Sequence, residues 1–411
     1  MKSSQQVNVT NFEVTYFSLL AEWLVRFFAV GLILLATPVC IFNYLTSIVK
    51  YSLPLNSVTT YDLLGKPYSY PAFNHGFVRH LLILSLIVKG EMAWVGLPRD
   101  LSNLTSRTDF KNMKVGLVSL YGLHQLTGIS ISSVEDDTHL QDEYTLADKL
   151  CLLMRVLIAS LVFRTKNLNE TSSFKLFGIR IDNVTLECAV TKMVTHSAKK
   201  QIQTMCFVNV NSLNLAHDNA RFSQDINDCD YVFADGSGVR IAAQKKGHRL
   251  VGNINGTDLL PVLCQRALAK SQSIFLLGSE FGVASLTASN LQRQYPGLRI
   301  SGTHHGYFDK HNSHDVIREI NDAKTDILLV AFGSPDQEAW LQEHKTMLEV
   351  NTAIAVGGLF DFYSGRILRA PVWIRELGME WLWRLAQEPR KKFYRYVVGN
   401  PVFLFRCFFQ S

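Results

Sequence analysis

The sequence predicts an α/β protein: a mostly parallel sheet with helices on both faces in the C-terminal part, preceded by a smaller, α-rich, membrane-associated part. Three observations predict it. Beyond about residue 174, short apolar β-rich runs alternate with helical stretches, as buried parallel strands joined by crossover helices do. Between Phe27 and Val49 no residue is charged, a length that just crosses a bilayer, yet Thr37-Pro38 interrupts it where proline removes a helix hydrogen bond. Of the 411 residues, 47% are hydrophobic and 18% charged, which excludes a disordered chain and a polytopic transporter. The expected C-terminal fold is Rossmann-like.

The elements follow in order. Residues 1–26 form an N-terminal segment; Glu13, Glu22 and the lack of a basic n-region argue against a signal peptide. Residues 27–50 form a membrane helix, re-entrant or spanning. Residues 51–164 hold the apolar run Leu81–Val88, the phrase K-G-E-M-A-W-V-G-L-P-R (89–99), V-G-L-V-S-L-Y-G-L-H-Q-L-T-G (115–128) and a helix over Leu146–Phe163. Polar residues 165–173 read as a linker. In 174–368, strands are expected at Met205–Val210, Tyr231–Phe233, Ser273–Leu277, Leu298–Ser301, Ile327–Ala331 and Ala353–Val356. Helices are expected at Thr257–Lys270, Val283–Tyr295 and His314–Ala323. Residues 369–411 are a basic, aromatic appendage.

Charge and cysteine usage narrow the partners. The formal charge is +6, and from Arg366 to Ser411 nine Arg or Lys face three Glu, so the basic excess sits in the tail. Such a tail suits anionic lipid or a diphosphate; nothing matches a nucleic-acid module, so no nucleic acid is expected. Seven scattered cysteines show no C-x-x-C and no zinc spacing, implying unpaired thiols in a reducing cytosol and no metal. Asp228-Cys229-Asp230 has the D-x-D form of metal-dependent transferases, but it precedes its strand and is expected to be a solvated loop at the wrong end of the sheet.

In parallel α/β sheets, ligands bind beyond the carboxyl ends of strands. Asn209 and Asn211, Asp235-Gly236, Gly278, Gly333 and Gly357-Gly358 each fall at such an end. In A-D-G-S-G (234–238), Asp235 is either a general base toward an attacking hydroxyl or a turn or capping aspartate. Asn209 and Asn211 suit a sugar or pyrophosphate, or plain turn chemistry. In N-G-T-D (255–258), Asn255, Thr257 and Asp258 are acceptor-binding candidates, with Thr257 or Asp258 the expected helix cap. L-L-G-S-E-F-G (276–282) has the form of a phosphate-binding strand–loop–helix. In G-S-P-D-Q-E-A-W (333–340), Gln337 and Glu338 either face a nucleotide or complement the helix dipole. Gly357-Gly358 leads to the acidic Asp361, then to Arg384, Arg390 and Arg395, whose spacings of six and five share no helical face. Pro389 is expected to redirect them over the pocket, while Lys391 and Lys392 read as solvated or lipid-facing.

These motifs carry a resemblance. From about Ser173 to Phe405 the chain resembles the WecG/TagA/CpsF glycosyltransferases through A-D-G-x-G, G-x-D, G-x-P-x-Q-E, G-G-x-F-D-F-x-x-G-x-x-x-R-A-P and E-W-x-x-R-L-x-x-E-P-x-R. The resemblance implies an inverting, membrane-associated enzyme that moves a sugar from a UDP-sugar to an undecaprenyl-diphosphate-linked acceptor without a cofactor. It implies Asp235 as the base and Arg384, Arg390 and Arg395 as arginines closing over the pocket. Asn209-Val210-Asn211 departs from the family's Thr-Pro-Asn or Thr-Leu-Asn, while Asn211 keeps its place. Residues 27–163 resemble a degenerate monotopic phosphoglycosyl transferase: Thr37-Pro38 falls at that family's helix break, and 89–99 echoes K-G-D-M-S-L-V-G-P-R-P. No acid occurs from Leu63 to Gly90, and Arg79-His80 stand where an Asp-Glu dyad belongs, so this part is expected to be inactive. The implied location is the cytoplasmic face of the plasma membrane, in surface-polysaccharide synthesis. Two rival readings are a bifunctional enzyme that also transfers phosphosugar to undecaprenyl phosphate, and a non-catalytic membrane assembly subunit. Oligomeric state is left open.

Overall fold

The computed structural model describes residues 23–50, 55–61, 67–73, 80–97, 114–128, 145–163, 168–195 and 202–409. The segment 1–22, Arg79 of the dyad position and residues 164–167 of the linker lie outside the described residues. The chain divides into two compact units, residues 1–123 with 132–157, and residues 124–131 with 158–411.

In the first unit, the uncharged stretch forms helices Trp23–Leu35 and Thr37–Ile48 bent by 54°, with the break beside the Thr37-Pro38 that the sequence singles out. No single helix is long and apolar enough to cross a membrane, but this bent pair qualifies by length and composition. Large apolar side chains such as Phe27, Leu35 and Phe42 are exposed on it. Strands β1 (Leu55–Tyr61) and β2 (Pro67–Phe73) form an antiparallel hairpin, and β3 (Ala93–Val95) pairs in parallel with β4 (Gly116–Val118). The apolar run becomes a short 3-10 turn and the helix Leu84–Val88, packing Leu86 and Ile87 with Ala29, Tyr70, Ala72 and Val115.

The second unit opens with the antiparallel hairpin β5 (Ser173–Leu176) and β6 (Ile179–Asp182). Its centre is a six-stranded sheet of β7 (Gln203–Val208), β8 (Tyr231–Ala234), β9 (Ser273–Gly278), β10 (Arg299–His304), β11 (Ile327–Ala331) and β12 (Thr352–Ala355). The order is β10-β9-β11-β12-β7-β8, and every pairing is parallel. These are the six expected strands, and the helices Gly256–Ala269, Val283–Gln294 and His314–Asp322 lie within a residue of expectation at each end.

Both faces of the sheet are covered, which explains the continuous apolar runs. Alternate residues feed opposite cores: Cys206, Val208, Leu277 and Val330 join one, while Met205, Phe207, Leu276 and Leu329 join the other. The final helix, Gly399–Phe409, lies within this unit; Phe403 and Cys407 are buried in the first of these cores. Arg406 anchors it by donating to both carboxylate oxygens of Asp218 at 2.7 and 2.9 Å.

Asp230, of the D-x-D, is exposed at the amino end of β8 but is not simply solvated. Its carboxylate accepts the Thr204 backbone N–H at 2.8 Å, tying β8 to the start of β7, and Cys229 is buried. No cluster of His, Cys, Asp and Glu suited to a metal occurs among the described residues.

Candidate active site

The loops after β7, β8, β11 and β12 meet at the carboxyl end of the sheet. Here the chain turns outward from β7 to β8 and later crosses to the other side of the sheet for β9, the kind of switch that opens a crevice. Two cavities lie there, of about 440 and 390 Å³. Asn209, Asn211, Asp235, Asn255, Glu380, Arg395 and Tyr396 line both.

Asp235 sits at the end of β8, where its backbone N–H donates to Val208 O at 2.9 Å. The next helix, Ser237–Lys245, is capped by Gly236, whose φ of 95° admits glycine without strain. The Gly236 N–H donates instead to Asn253 Oδ1 at 2.7 Å. The Asp235 carboxylate is therefore not used as a helix cap. Burial pushes its pKa up to about 7, helped by Glu380 and opposed by Arg395 and a hydrogen bond with Asn209.

Asn209 caps the helix Val210–Asp218: its Oδ1 accepts the Asn211 and Ser212 backbone N–H groups at 3.0 and 3.2 Å. Asn209 is thus a helix cap, the turn chemistry expected of it, and it also lines both cavities. In N-G-T-D the cap is Asn255, not Thr257 or Asp258 as expected from the sequence. Asn255 Oδ1 accepts from Asp258 N and from Thr257 Oγ1, both at 2.8 Å, because its extended backbone aims the amide oxygen into the first turn. Asp258 is thereby free to hold Arg369 Nη2 at 2.6 Å and Arg375 Nη1 at 3.5 Å. Asp258, Arg369 and Arg375 line the second cavity, Thr257 the first.

The first cavity takes in Ser279, Glu280, Gly333, Gln337, Gly357, Gly358 and Asp361. Gln337 ties two loops together: its Oε1 accepts from Gly333 N at 3.3 Å and Gly357 N at 2.9 Å. Glu338 does not face the cavity. It is 1% exposed, accepts from Ser334 Oγ at 2.8 Å and Gln337 Nε2 at 2.9 Å, and burial raises its pKa. Gly278 is also absent from the lining; with φ 134°, a Cβ there would stand 2.5 Å from Ala331 O, so glycine lets β9 and β11 close together.

Of the tail arginines, Arg384 and Arg395 line the first cavity, whereas Arg390 is exposed and lines neither. Lys392, expected in solvent, lines the cavity in its place because the turn at Glu388-Pro389 resets the helix face. Arg384 stacks over Phe362 with its Cζ 4.6 Å from the ring centroid and pairs with Glu388 at 3.1 Å. Arg384 Nη1 and Arg395 Nε are buried donors without a hydrogen-bond partner, a costly arrangement unless an anion is bound. Burial raises the Asp361 pKa while Arg384 opposes it. Glu380, Lys392, Tyr396, Arg369 and Arg375 escaped the sequence reading. For Glu380, the available signals were its place at the start of the E-W-x-x-R-L motif and its i,i+4 spacing to Arg384.

A parallel α/β sheet with a carboxylate between two cavities, one under basic side chains, has the form of a group-transfer enzyme for an anionic donor. Residues 174–411, more than half of the chain, match the "Glycosyl transferase WecG/TagA/CpsF family" model; the chain belongs to that family and is a sugar-transferring enzyme. It is similar to the N-acetylglucosaminyldiphosphoundecaprenol N-acetyl-beta-D-mannosaminyltransferase of Staphylococcus aureus strain MW2, 29% identical over 244 residues, 58% of this chain and 93% of the relative. The protein of the same name from strain NCTC 8325 is 30% identical over 218 residues, 53% of this chain and 85% of that one.

Proposed function

We propose that the second unit is an inverting glycosyltransferase. It moves a hexose from a UDP-sugar in the first cavity to a hydroxyl of a polyprenyl-diphosphate-linked sugar in the second. One observation carries this reading: Asp235 faces both cavities with a pKa near 7, where a base is effective at neutral pH. The acceptor hydroxyl gives its proton to an Asp235 carboxylate oxygen as its oxygen bonds to the anomeric carbon. The bond from that carbon to the donor's diphosphate breaks, and UDP leaves with the electron pair from the opposite face. Arg384, Arg395 and Lys392 offset the charge gathering on UDP, and Arg369 and Arg375 hold the acceptor's diphosphate. The names of the relatives support a diphosphoundecaprenol acceptor and N-acetylmannosamine as the first donor sugar to try.

The test is UDP release from a panel of UDP-sugars with N-acetylglucosaminyl-diphospho-undecaprenol as acceptor. Asp235→Asn is expected to keep UDP affinity and lose about 10²–10⁴-fold in turnover. Turnover within a few-fold of the parent would refute the assignment.

In the same reading, the enzyme works at the cytoplasmic leaflet of the plasma membrane; the bent helix pair and the exposed Phe405, Phe408 and Phe409 support this. The first unit serves as an anchor, not as a phosphosugar transferase. Glu91 is the one carboxylate among the described residues from 55 to 97, and His80 at the dyad position is hydrogen-bonded to the Tyr70 hydroxyl at 3.0 Å. UMP release by the full-length Asp235→Asn protein from UDP-sugar and undecaprenyl phosphate would establish a bifunctional enzyme instead.

A further inference from the structure

The second cavity has a wall from outside the residues matched to the family. Thr127, Val162 and Phe163 line it, and all three precede residue 174. This strip is built into the second unit by three ties. His124 Nε2 and Glu376 Oε1 lie 2.8 Å apart with side chains 5% and 0% exposed, and Glu376 sits between the cavity residues Arg375 and Leu377. Arg240, 5% exposed, donates from Nη1 to Leu126 O at 3.2 Å. Phe163, 2% exposed, packs on Gly378, where an added Cβ would meet its Cζ at 3.3 Å. The Gly378 carbonyl in turn accepts the Ser237 hydroxyl at 2.9 Å, two residues from Asp235.

The same cavity combines two guanidinium groups, Arg369 and Arg375, with apolar surface from Phe163, Leu377, Met379 and Trp381. The Nε atoms of Arg369 and Arg375 are buried without a hydrogen-bond partner. Paired guanidiniums beside apolar walls fit an amphiphile whose diphosphate joins directly to hydrocarbon. A free sugar phosphate would leave the apolar side uncovered.

We infer that the strip Thr127, Val162 and Phe163 is a lipid-recognition wall that contacts the first isoprene units of the acceptor. This rests on the proposed reading of the second cavity as the acceptor site. The segment before the family domain thus does more than anchor the enzyme: it selects an isoprenoid diphosphate over other diphosphates.

The test uses calorimetric titration of the full-length protein with farnesyl diphosphate, inorganic diphosphate and UDP. Farnesyl diphosphate is expected to bind at least about tenfold more tightly than inorganic diphosphate and without displacing UDP. Phe163→Ala is expected to weaken farnesyl diphosphate about tenfold and Phe163→Leu about threefold, with inorganic diphosphate and UDP unchanged in both. Unchanged UDP affinity reports an intact fold; if Phe163→Ala loses it, Phe163→Leu decides. Equal farnesyl diphosphate affinity in parent and variant, no preference over inorganic diphosphate, or competition with UDP would each overturn the inference. Failure of the parent to bind UDP would overturn the donor-site reading, a separate result.

Discussion

At the scale of single residues, protonation of Asp235 sets the expected pH dependence. Its pKa lies near 7 chiefly through burial, with Glu380 adding like charge and Arg395 opposing. A base works deprotonated, so kcat/KM should rise with pH through a limb centred near 7. Glu380→Gln removes a negative neighbour and should move the limb to lower pH. Arg395→Met removes a positive one and should move it higher. A pH–rate profile with no limb between 5 and 9 would contradict the assignment. The tail arginines make a second contrast. Arg384→Gln should weaken UDP binding by about 10-fold or more, as expected for loss of a charge-assisted hydrogen bond, whereas Arg390→Gln should leave it within about twofold. Titration of UDP into both variants checks this, and equal losses would show that Arg390 reaches the donor after all. Sequence spacing alone did not separate the two, because the turn at Glu388-Pro389 decides which side chains face inward.

At the scale of elements, the loops at the strand ends depend on a few backbone positions. Gly278 ends β9 with φ 134° and leaves no room for a Cβ against Ala331 O. Gly278→Ala should cost about 1–3 kcal/mol from backbone strain alone, and more from the clash, read as a fall in urea midpoint at unchanged slope. An unchanged midpoint would mean that the strand ends relax freely. The glycine is legible in the sequence as a strand-end residue in a loop of phosphate-binding form; that it also lets β9 and β11 close together is visible only in the packing. The same distinction applies to Glu338, which the motif placed at the pocket and burial places behind Gln337. A motif shows that a loop matters without showing which of its side chains turn toward the cavity.

At the scale of the whole second unit, the tail is part of the core as well as of the cavity walls. Phe403 is 1% exposed in the core that also holds Val208 and Val232, and its ring packs edge-on against Phe177 at 5.7 Å between centroids. Phe403→Ala should cost about 3–5 kcal/mol. A truncation after Leu368 should therefore lose cooperative unfolding as well as activity; a cooperatively folded truncated protein would show the tail to be dispensable for the fold. The strand–helix alternation, the six strands and the carboxyl-end position of Asp235 were determined by sequence, because buried parallel strands require unbroken apolar runs and their ends require turn residues. Tertiary structure alone decided the rest. It brought Glu380, Lys392, Arg369 and Arg375 to the cavities from the far end of the chain, and Thr127 and Phe163 from ahead of the family domain. Pairings across such separations, like His124 with Glu376, depend on packing of complete elements and leave no local periodicity to read.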